Sequence, residues 1–598
     1  MLLKRKQMMK SFAIMMYPAF LVLVIRFAPF HGKNLWEFIE YVNREMERPM
    51  DFRWDTNTIP VVLTFTAVYV IVFFLIITSL KNTRYGEEHG SAKWMDAASL
   101  GRRLRAGRIR GENNKEDRYR RNILFTEKVL VSMNSSCDNI NTLILGGAGR
   151  MKSRSFIIPN IMQMNCNPVV TDPKGEILRK VGGLLRDNGY DVRVLDLVEH
   201  FRSHGYNPFP YFRSDDDILL FVNNMWDAME DKTAAKGEQI WDDQAKNMMM
   251  SLCLYLYHFA PEDEQNLSTI MYMFNQIDDA EEKKTDDPVD QAFKNIPKQD
   301  TSYTYYMAWS TAKGRTLASI KATFASRMSV FNLESLKALT YHDEINILDL
   351  ATGKVAIFMV IPDNNSVYNF LAGTLYTQMF QQLYDYADHV AYGALPHHVR
   401  FFMDEFANIS LPNDYQKILS TSRSRNVSFV IVLQDKQQIE AIFEKYYRTI
   451  YGNCAWQLFL GSLELETCKY YSELLGKETI VAYTTSKNLG RQGGSTRQEQ
   501  LIERELMKPD EIRSLPKKDC ILITPYNGVV YDKKYNLKTH PFYDRISDSK
   551  GSKPYLWGES ELSVGKILFM PQDYAGKLTP LPEPDGILMS NEELDAIA

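Results

Sequence analysis

Apolar positions along the chain fall into three regimes, and each predicts a different kind of element. The first is long and unbroken. Pro60–Leu80, "PVVLTFTAVYVIVFFLIITSL", holds 21 residues without a charge. As a helix rising ~1.5 Å per residue, it just crosses a hydrocarbon layer ~30 Å thick, which predicts a transmembrane span. Phe12–Ile25, "FAIMMYPAFLVLVI", is shorter, carries Pro18 and meets Arg26. No small-residue cleavage site follows it and a second span does, so it predicts a first membrane helix, not a signal peptide. The expected anchor is residues 1–85, with helices at about 12–30 and 60–80 and an external loop at 31–58. Lys4, Arg5, Lys6 and Lys10 precede the first span, and Lys81 and Arg84 follow the second. The positive-inside bias then puts both ends in the cytoplasm. Trp36 and Trp54 in the loop suit the membrane interface.

The second regime begins near residue 140. Short apolar runs end in polar or glycine-rich turns: "NTLIL" before Gly146, "NPVVT" before Asp172, "DVRVLDL", "KVAIFMVI" (354–361), "VRFFM" (399–403) and "FVIVL" (429–433). They do not alternate, as expected of parallel strands covered on both faces. Helical intervals separate them, so the predicted class is α/β and doubly wound with a mostly parallel sheet. The third regime, residues 211–310, has helical periodicity and no clear strand. Its 13-residue run "MMMSLCLYLYHFA" (248–260) is too short to cross a bilayer. An all-helical insertion at 211–315 therefore divides the sheet domain into residues 86–210 and 316–545, with a tail at 546–598. Residues 482–500, including "NLGRQGGSTRQEQ", are expected to be flexible and polar.

Composition sharpens this picture locally. The 598 residues are enough for two to four domains, and 45% hydrophobic with 24% charged content describes a globular chain. A net charge of −4 carries no global signature of a nucleic-acid binder. Residues 81–120 hold 11 Lys/Arg against six Asp/Glu, which favours anionic lipid headgroups or an ordinary solvated linker. Residues 211–310 hold 20 Asp/Glu against eight Lys/Arg, which repels phosphate backbones and attracts basic protein surfaces, or simply solvates the exterior. The six cysteines lack metal-ligand spacing and are too few for a disulfide scaffold.

The candidate chemistry starts at "LGGAGRMKS", residues 145–153. Gly146, Gly147, Ala148, Gly149, Arg150, Met151, Lys152 and Ser153 match the phosphate-loop spacing G-x-x-x-x-G-K-[ST], except that Met151 replaces the last glycine. Such a loop works because backbone N–H groups converge on phosphate oxygens at the start of a helix. Lys152 would bridge the outer phosphates, and the Ser153 hydroxyl would bind Mg²⁺. If position 151 needs a positive φ, methionine costs ~1–2 kcal/mol there. Pro159 limits the following helix to about two turns or kinks it. At the end of "VRFFM", Asp404 and Glu405 sit where one carboxylate can hold Mg²⁺ and another can orient or deprotonate the attacking water. Gln434 ends the strand "FVIVL" and can sense a γ-phosphate. Arg423, with Arg425 as its competitor, can reach a neighbouring subunit's phosphate in a ring.

Taken together, "HGSAKW" (89–94), "LGGAGRMKS", "IPN" (158–160), "TDPKGEIL" (171–178), "YNPF" (206–209), "DEFANI" (404–409) and "IVLQDKQQI" (431–439) resemble the type IV secretion coupling proteins, the TraG/TraD-type conjugation ATPases. The resemblance covers roughly residues 12–545. It implies two membrane helices, a RecA-like nucleotide-binding domain with an all-α insertion, and a homo-hexameric ring on the cytoplasmic face of the bacterial inner membrane. It implies binding of ATP and Mg²⁺, and delivery of a relaxase–DNA complex or protein substrate to a secretion channel, with sequence-independent contacts to DNA. It assigns Lys152 and Ser153 to the phosphate loop, Asp404 and Glu405 to the acidic pair, Gln434 to the sensor and Arg423 to the finger. The departure at Met151 bears on turnover more than on binding. Two other readings compete: a membrane-tethered adaptor that binds nucleotide without hydrolysing it, and a chromosome-partition translocase, against which "HGSAKW" and "DEFAN" speak. Without its membrane segment the chain is expected to be monomeric.

Overall fold

The computed structural model describes residues 2–47, 53–79, 87–107, 115–133, 139–229, 239–277, 287–362, 367–409, 411–412, 414–487, 495–526, 528–549 and 553–558. Among them the strands, in chain order, are β1 (Asn122–Leu124), β2 (Leu130–Ser132), β3 (Thr142–Gly146), β4 (Asn167–Pro173), β5 (Asp191–Asp196), β6 (Val355–Ile361), β7 (Val399–Met403), β8 (Val427–Leu433), β9 (Trp456–Gly461), β10 (Lys477–Lys487), β11 (Ser495–Glu505), β12 (Asp519–Thr524) and β13 (Gly528–Lys533). The chain divides into two compact units, residues 1–91 with 477–504 and residues 92–476 with 505–598.

In the first unit, helices span Leu2–Phe27, Leu35–Met46 and Thr58–Ser79. Thr58–Ile76 is the one helix among the described residues long and apolar enough to cross a membrane, with a mean hydropathy of 2.7. In the first helix only Ser11–Phe27 is apolar, short of that length. The first and third helices pair through Tyr17 Oη and Thr66 Oγ1 at 3.1 Å and through Tyr69 Oη donating to the Ala13 carbonyl at 2.9 Å. The connecting segment is not loop throughout, because Leu35–Met46 is a helix with apolar residues at Leu35, Phe38 and Ile39. β10 and β11 pair as a two-stranded sheet where a flexible segment was expected; of that segment, residues 488–494 lie outside the described residues. Lys81 and Arg84 also lie outside them.

The second unit is built on a nine-stranded sheet in the order β13-β12-β9-β3-β8-β7-β4-β6-β5. The seven strands from β9 to β5 are parallel to their neighbours, and β12 and β13 add an antiparallel edge. All six strands expected from unbroken apolar runs are present. β3, β6, β7 and β8 are buried at every residue, because helices cover both faces. Beneath one face, Phe156, Ile158, Val170 and Phe402 share a core with the helix Glu176–Asp187. Beneath the other, Leu143, Val169 and Phe401 share a core with Met248, Leu252 and Tyr255 of the helix Gln239–Phe259. The apolar run 248–260 is thus core. β9, β12 and β13 lacked a strong signal: Gln457 interrupts "WQLFLG", and "DCILIT" offers a run of only four apolar residues.

Between β5 and β6 the described elements are all helical, from His200–Arg202 to Asp349–Thr352. Part of their acidity has local work. Asp287 and Asp300 accept backbone N–H groups at the starts of helices, and Asp215 and Asp300 flank His258. A carboxylate at a helix start both satisfies an orphan donor and meets the helix dipole. Acidic residues 230, 231, 238, 278, 279, 281, 282 and 286 lie outside the described residues. Cys166, Cys253, Cys454, Cys468 and Cys520 are unpaired and buried; Cys137 lies outside the described residues.

Candidate nucleotide-binding site

β3 delivers the glycine-rich loop to the carboxyl end of the sheet. Gly147 N–H donates to the Gly461 carbonyl at 2.9 Å, which ties the loop's start to the end of β9. Gly149 stands at φ +70° and Met151 at φ +66°. The departure from the motif therefore falls on a residue that does need the left-handed conformation, at a cost of ~1–2 kcal/mol for a side chain with a Cβ. Neighbours hold it there. The Met151 carbonyl accepts both the N–H and the hydroxyl of Ser155 at 2.8 Å, and Arg150 Nη1 donates to the Leu515 carbonyl at 3.0 Å. The amides of Ala148, Gly149 and Met151 donate to no other described residue. A Cβ placed on Gly149 would meet nothing within 4 Å, so the loop opens on empty space.

The helix after the loop starts with a widened turn, Ser153–Ile157, in which Ile158 N–H reaches back to Ser153 O. Pro159 lacks an N–H, and the wide turn removes the need for one. A short α-turn, Ile158–Ile161, follows. Asn160 is buried and locks it down: its Oδ1 accepts Leu124 N–H at 2.8 Å, and its Nδ2 donates to Leu124 O at 2.9 Å and to Phe156 O at 2.8 Å.

β7 delivers the acids. Its end does not adjoin that of β3, since β8 lies between β3 and β7. The loop after β3 carries the chain across the end of β8, and Ser153 Oγ donates to Asp404 Oδ2 at 2.5 Å. Lys152 Nζ donates to the Gly146 carbonyl at 2.9 Å. Burial pushes the Lys152 ammonium down while Asp404 and Glu405 pull it up. Asp404 is 5% exposed. Burial pushes its carboxyl up, the Ser153 hydroxyl and Lys152 hold it down, and Glu405 raises it again. Glu405 stands at φ +55° and its Oε2 accepts Asn408 Nδ2 at 2.9 Å, which fixes the side chain beside Asp404. Asp172, at the end of β4, accepts Ile177 and Leu178 N–H at 3.0 and 2.7 Å. Burial pushes it up to about 7 against those two bonds, and Asp404 adds to the rise.

Gln434 follows Leu433, which pairs with Leu145, so it lies beside the start of the loop. Its N–H donates to Gln438 Oε1 at 2.8 Å. Arg423 is not brought to this end. It lies in the turn Arg423–Arg425 at the start of β8, seven residues or ~20 Å of strand away. Arg423 is exposed. Arg425 is committed within the chain: its Nε and Nη2 donate to Asp388 at 2.8 and 2.7 Å, and it lies 4.7 Å from the centre of the Tyr384 ring.

Ser153 and Asp404 offer paired oxygens, and among the described residues no cluster of three His, Cys, Asp or Glu could hold a metal. Two hard oxygens suit a Mg²⁺ that keeps waters and phosphate oxygens as its other ligands. Sequence reasoning missed the roles of Asp172 and Asn408, although both lie in the quoted motifs, and it missed Lys534 and Gly461 outright. Nothing in "YDKKYN" marks Lys534, because its contacts come from far along the chain.

Among curated proteins the chain is 20% identical over 479 residues to Protein VirD4 of Rhizobium rhizogenes, covering 77% of this chain and 66% of that one. It is also 20% identical over 485 residues to Protein VirD4 of Agrobacterium fabrum (strain C58 / ATCC 33970), covering 77% and 66%. The chain thus spans just under two thirds of the length of these relatives. Among solved structures it shares its fold with the bacterial conjugative coupling protein TrwBdeltaN70 in complex with sulphate, at a TM-score of 0.51 and 14% identity, covering 74% of this chain and 95% of that one. The plasmid coupling protein TrwB in complex with ADP and Mg²⁺ gives a TM-score of 0.51 at 14% identity, covering 74% and 94%. The match to the family described as type IV secretory system conjugative DNA transfer runs over residues 63–545, from within the apolar helix Thr58–Ser79 to the turn Tyr543–Arg545, and by that extent the chain belongs to this family.

Proposed function

We propose that this chain is a membrane-anchored ATPase that receives DNA–protein or protein substrates and delivers them to a type IV secretion channel. The observation that carries the reading is the Ser153–Asp404 contact with Lys152 alongside, which gathers a hydroxyl, an acid and an ammonium from distant parts of the chain around one open loop. Relatives with the same fold bind ADP with Mg²⁺ and a non-hydrolysable ATP analogue, which supports ATP and Mg²⁺ as the ligands here. The amides of Ala148, Gly149 and Met151 cradle the phosphates, and Lys152 neutralises the outer ones. Ser153 and Asp404 would hold Mg²⁺, which would supply neutralisation of phosphate charge. Glu405, fixed by Asn408, orients and deprotonates the attacking water, and Gln434 reports the state of the terminal phosphate. Arg423, remote from its own loop and exposed, completes the site of a neighbouring copy in a homo-hexamer.

We further take residues 1–85 as a two-span anchor in the bacterial inner membrane, with Ser11–Phe27 completing a first span and the nucleotide unit in the cytoplasm. Residues 211–315 form the insertion, and the protein's partners are membrane lipids, the channel's inner-membrane components and DNA bound without regard to sequence.

Hydrolysis by the full chain in detergent tests the reading. Lys152→Ala and Glu405→Gln should each lower DNA-stimulated turnover by ~100-fold or more, with Glu405→Gln still binding nucleotide. Turnover unchanged by Lys152→Ala would sink the assignment. Nucleotide binding by the wild type without any turnover, DNA present or absent, would select instead a tethered receptor that binds nucleotide and does not hydrolyse it; Met151 is the residue that favours that second reading.

A further inference from the structure

Lys534 follows β13 and is 5% exposed. Its Nζ donates to the Leu460 carbonyl at 2.7 Å and to the Arg150 carbonyl at 3.0 Å. No carboxylate lies within ion-pair distance of it among the described residues. A buried ammonium without a counter-ion is costly, and Lys534 is held by two carbonyls instead. Burial pushes it down to about 8, with Cys520 and Asp519 resisting and Arg150 and Lys517 assisting, so it is charged at neutral pH. One of those carbonyls belongs to the peptide between Arg150 and Met151. The angle φ of a residue sets the orientation of the peptide that precedes it, so a bond that fixes the Arg150 carbonyl also fixes φ at Met151. That angle is +66°. With its carbonyl turned to Lys534 on the back of the loop, the same peptide turns its N–H toward the loop's open side.

We propose that Lys534 is a positioning residue of the phosphate loop, which holds the Arg150–Met151 peptide in the orientation that glycine would adopt without help. The proposal rests on the nucleotide-site reading given above. The antiparallel edge β12–β13 then acts as a backstop: its last residues reach under β9 and grip the loop from behind, compensating for methionine at position 151.

The experiment measures binding of a fluorescent ADP analogue with Mg²⁺ to the full chain in detergent, for wild type, Lys534→Met, Met151→Gly and the double variant, with folding checked by circular dichroism. Lys534→Met should weaken binding about tenfold, the scale of a lost hydrogen bond to a charged group. In the Met151→Gly background the same change should weaken binding by less than about threefold, since glycine keeps the positive φ unaided. A general packing role for Lys534 would give equal losses in both backgrounds, and that result, or no loss in either, would overturn the proposal. If Lys534→Met does not fold, Lys534→Gln, which keeps a shorter donor, gives the same comparison. Should the wild type itself fail to bind, the nucleotide-site reading falls and this proposal falls with it; wild-type binding with equal losses rejects Lys534 alone.

Discussion

Met151 concentrates the residue-scale question, because the motif's missing glycine falls on a left-handed residue. Relief of ~1–2 kcal/mol of strain by Met151→Gly is offset by ~0.5–1 kcal/mol of added freedom in the unfolded chain. The net expectation is a melting temperature higher by about 1–3 °C. DNA-stimulated turnover should stay close to wild type, since the loop already holds the conformation glycine would take; a large gain would show that the methionine throttles the reaction. Asp172 carries a second residue-scale prediction. Its carboxyl is raised to about 7 by burial, above the ordinary value near 4 of an unfolded chain. The folded state therefore keeps a proton that the unfolded state releases, and stability from this group is present at low pH and lost as pH rises through about 7. Denaturation midpoints of wild type and Asp172→Asn, compared at about pH 5 and pH 8, should show wild type losing ground at the higher pH. A constant difference would contradict the shift.

Elements meet their constraints through a few shaped contacts. Residues 553–558 run along the helix Glu176–Asp187, where Tyr555 N–H donates to Arg179 O at 2.9 Å and Trp557 Nε1 donates to Asp196 Oδ2 at 2.8 Å. The tail fits because position 182 has no side chain: a Cβ there would come within 2.4 Å of the Tyr555 ring. Arg186 packs over that ring at 5.3 Å. Gly182→Val should therefore cost ~1–3 kcal/mol or expel the segment. Limited proteolysis should cut faster around Lys553 and Tyr555 in the variant while the sheet core stays resistant, and unchanged cleavage would mean the strap is not held by this contact. "TDPKGEIL" and "YNPF" belong to the same scale. Asp172 caps the helix after β4, and Tyr206 Oη donates to Gln378 Oε1 at 2.7 Å while Asn207 Nδ2 donates to Gln265 O at 2.7 Å. Those motifs build the frame around the site.

For the whole molecule, the decisive geometry is the ~20 Å of β8 that separates Arg423 from the loop of its own chain. If Arg423 serves a neighbouring copy, Arg423→Ala should lower turnover of the assembled protein by ~10³-fold and leave nucleotide binding intact. Mixing Arg423→Ala with Lys152→Ala chains should restore part of the activity, because some interfaces then pair an intact loop with an intact arginine. No recovery in mixed assemblies would assign the arginine another role. The sequence by itself determined the apolar helix Thr58–Ser79, the six buried parallel strands, and the candidate residues at their ends, because hydrophobic burial and phosphate-loop spacing are written in consecutive positions. It left β9, β12, β13 and the β10–β11 pair unread: Gln457 interrupts β9, the apolar run of β12 is only Cys520–Ile523, and β13, β10 and β11 mix polar with apolar positions. Only tertiary structure decided that β8 intervenes between the loop strand and the acid strand, that Ser153 nevertheless reaches Asp404, and that a lysine 383 positions past Met151 grips the loop from behind. Such contacts depend on strand order and chain crossing, and no local pattern of side chains encodes either.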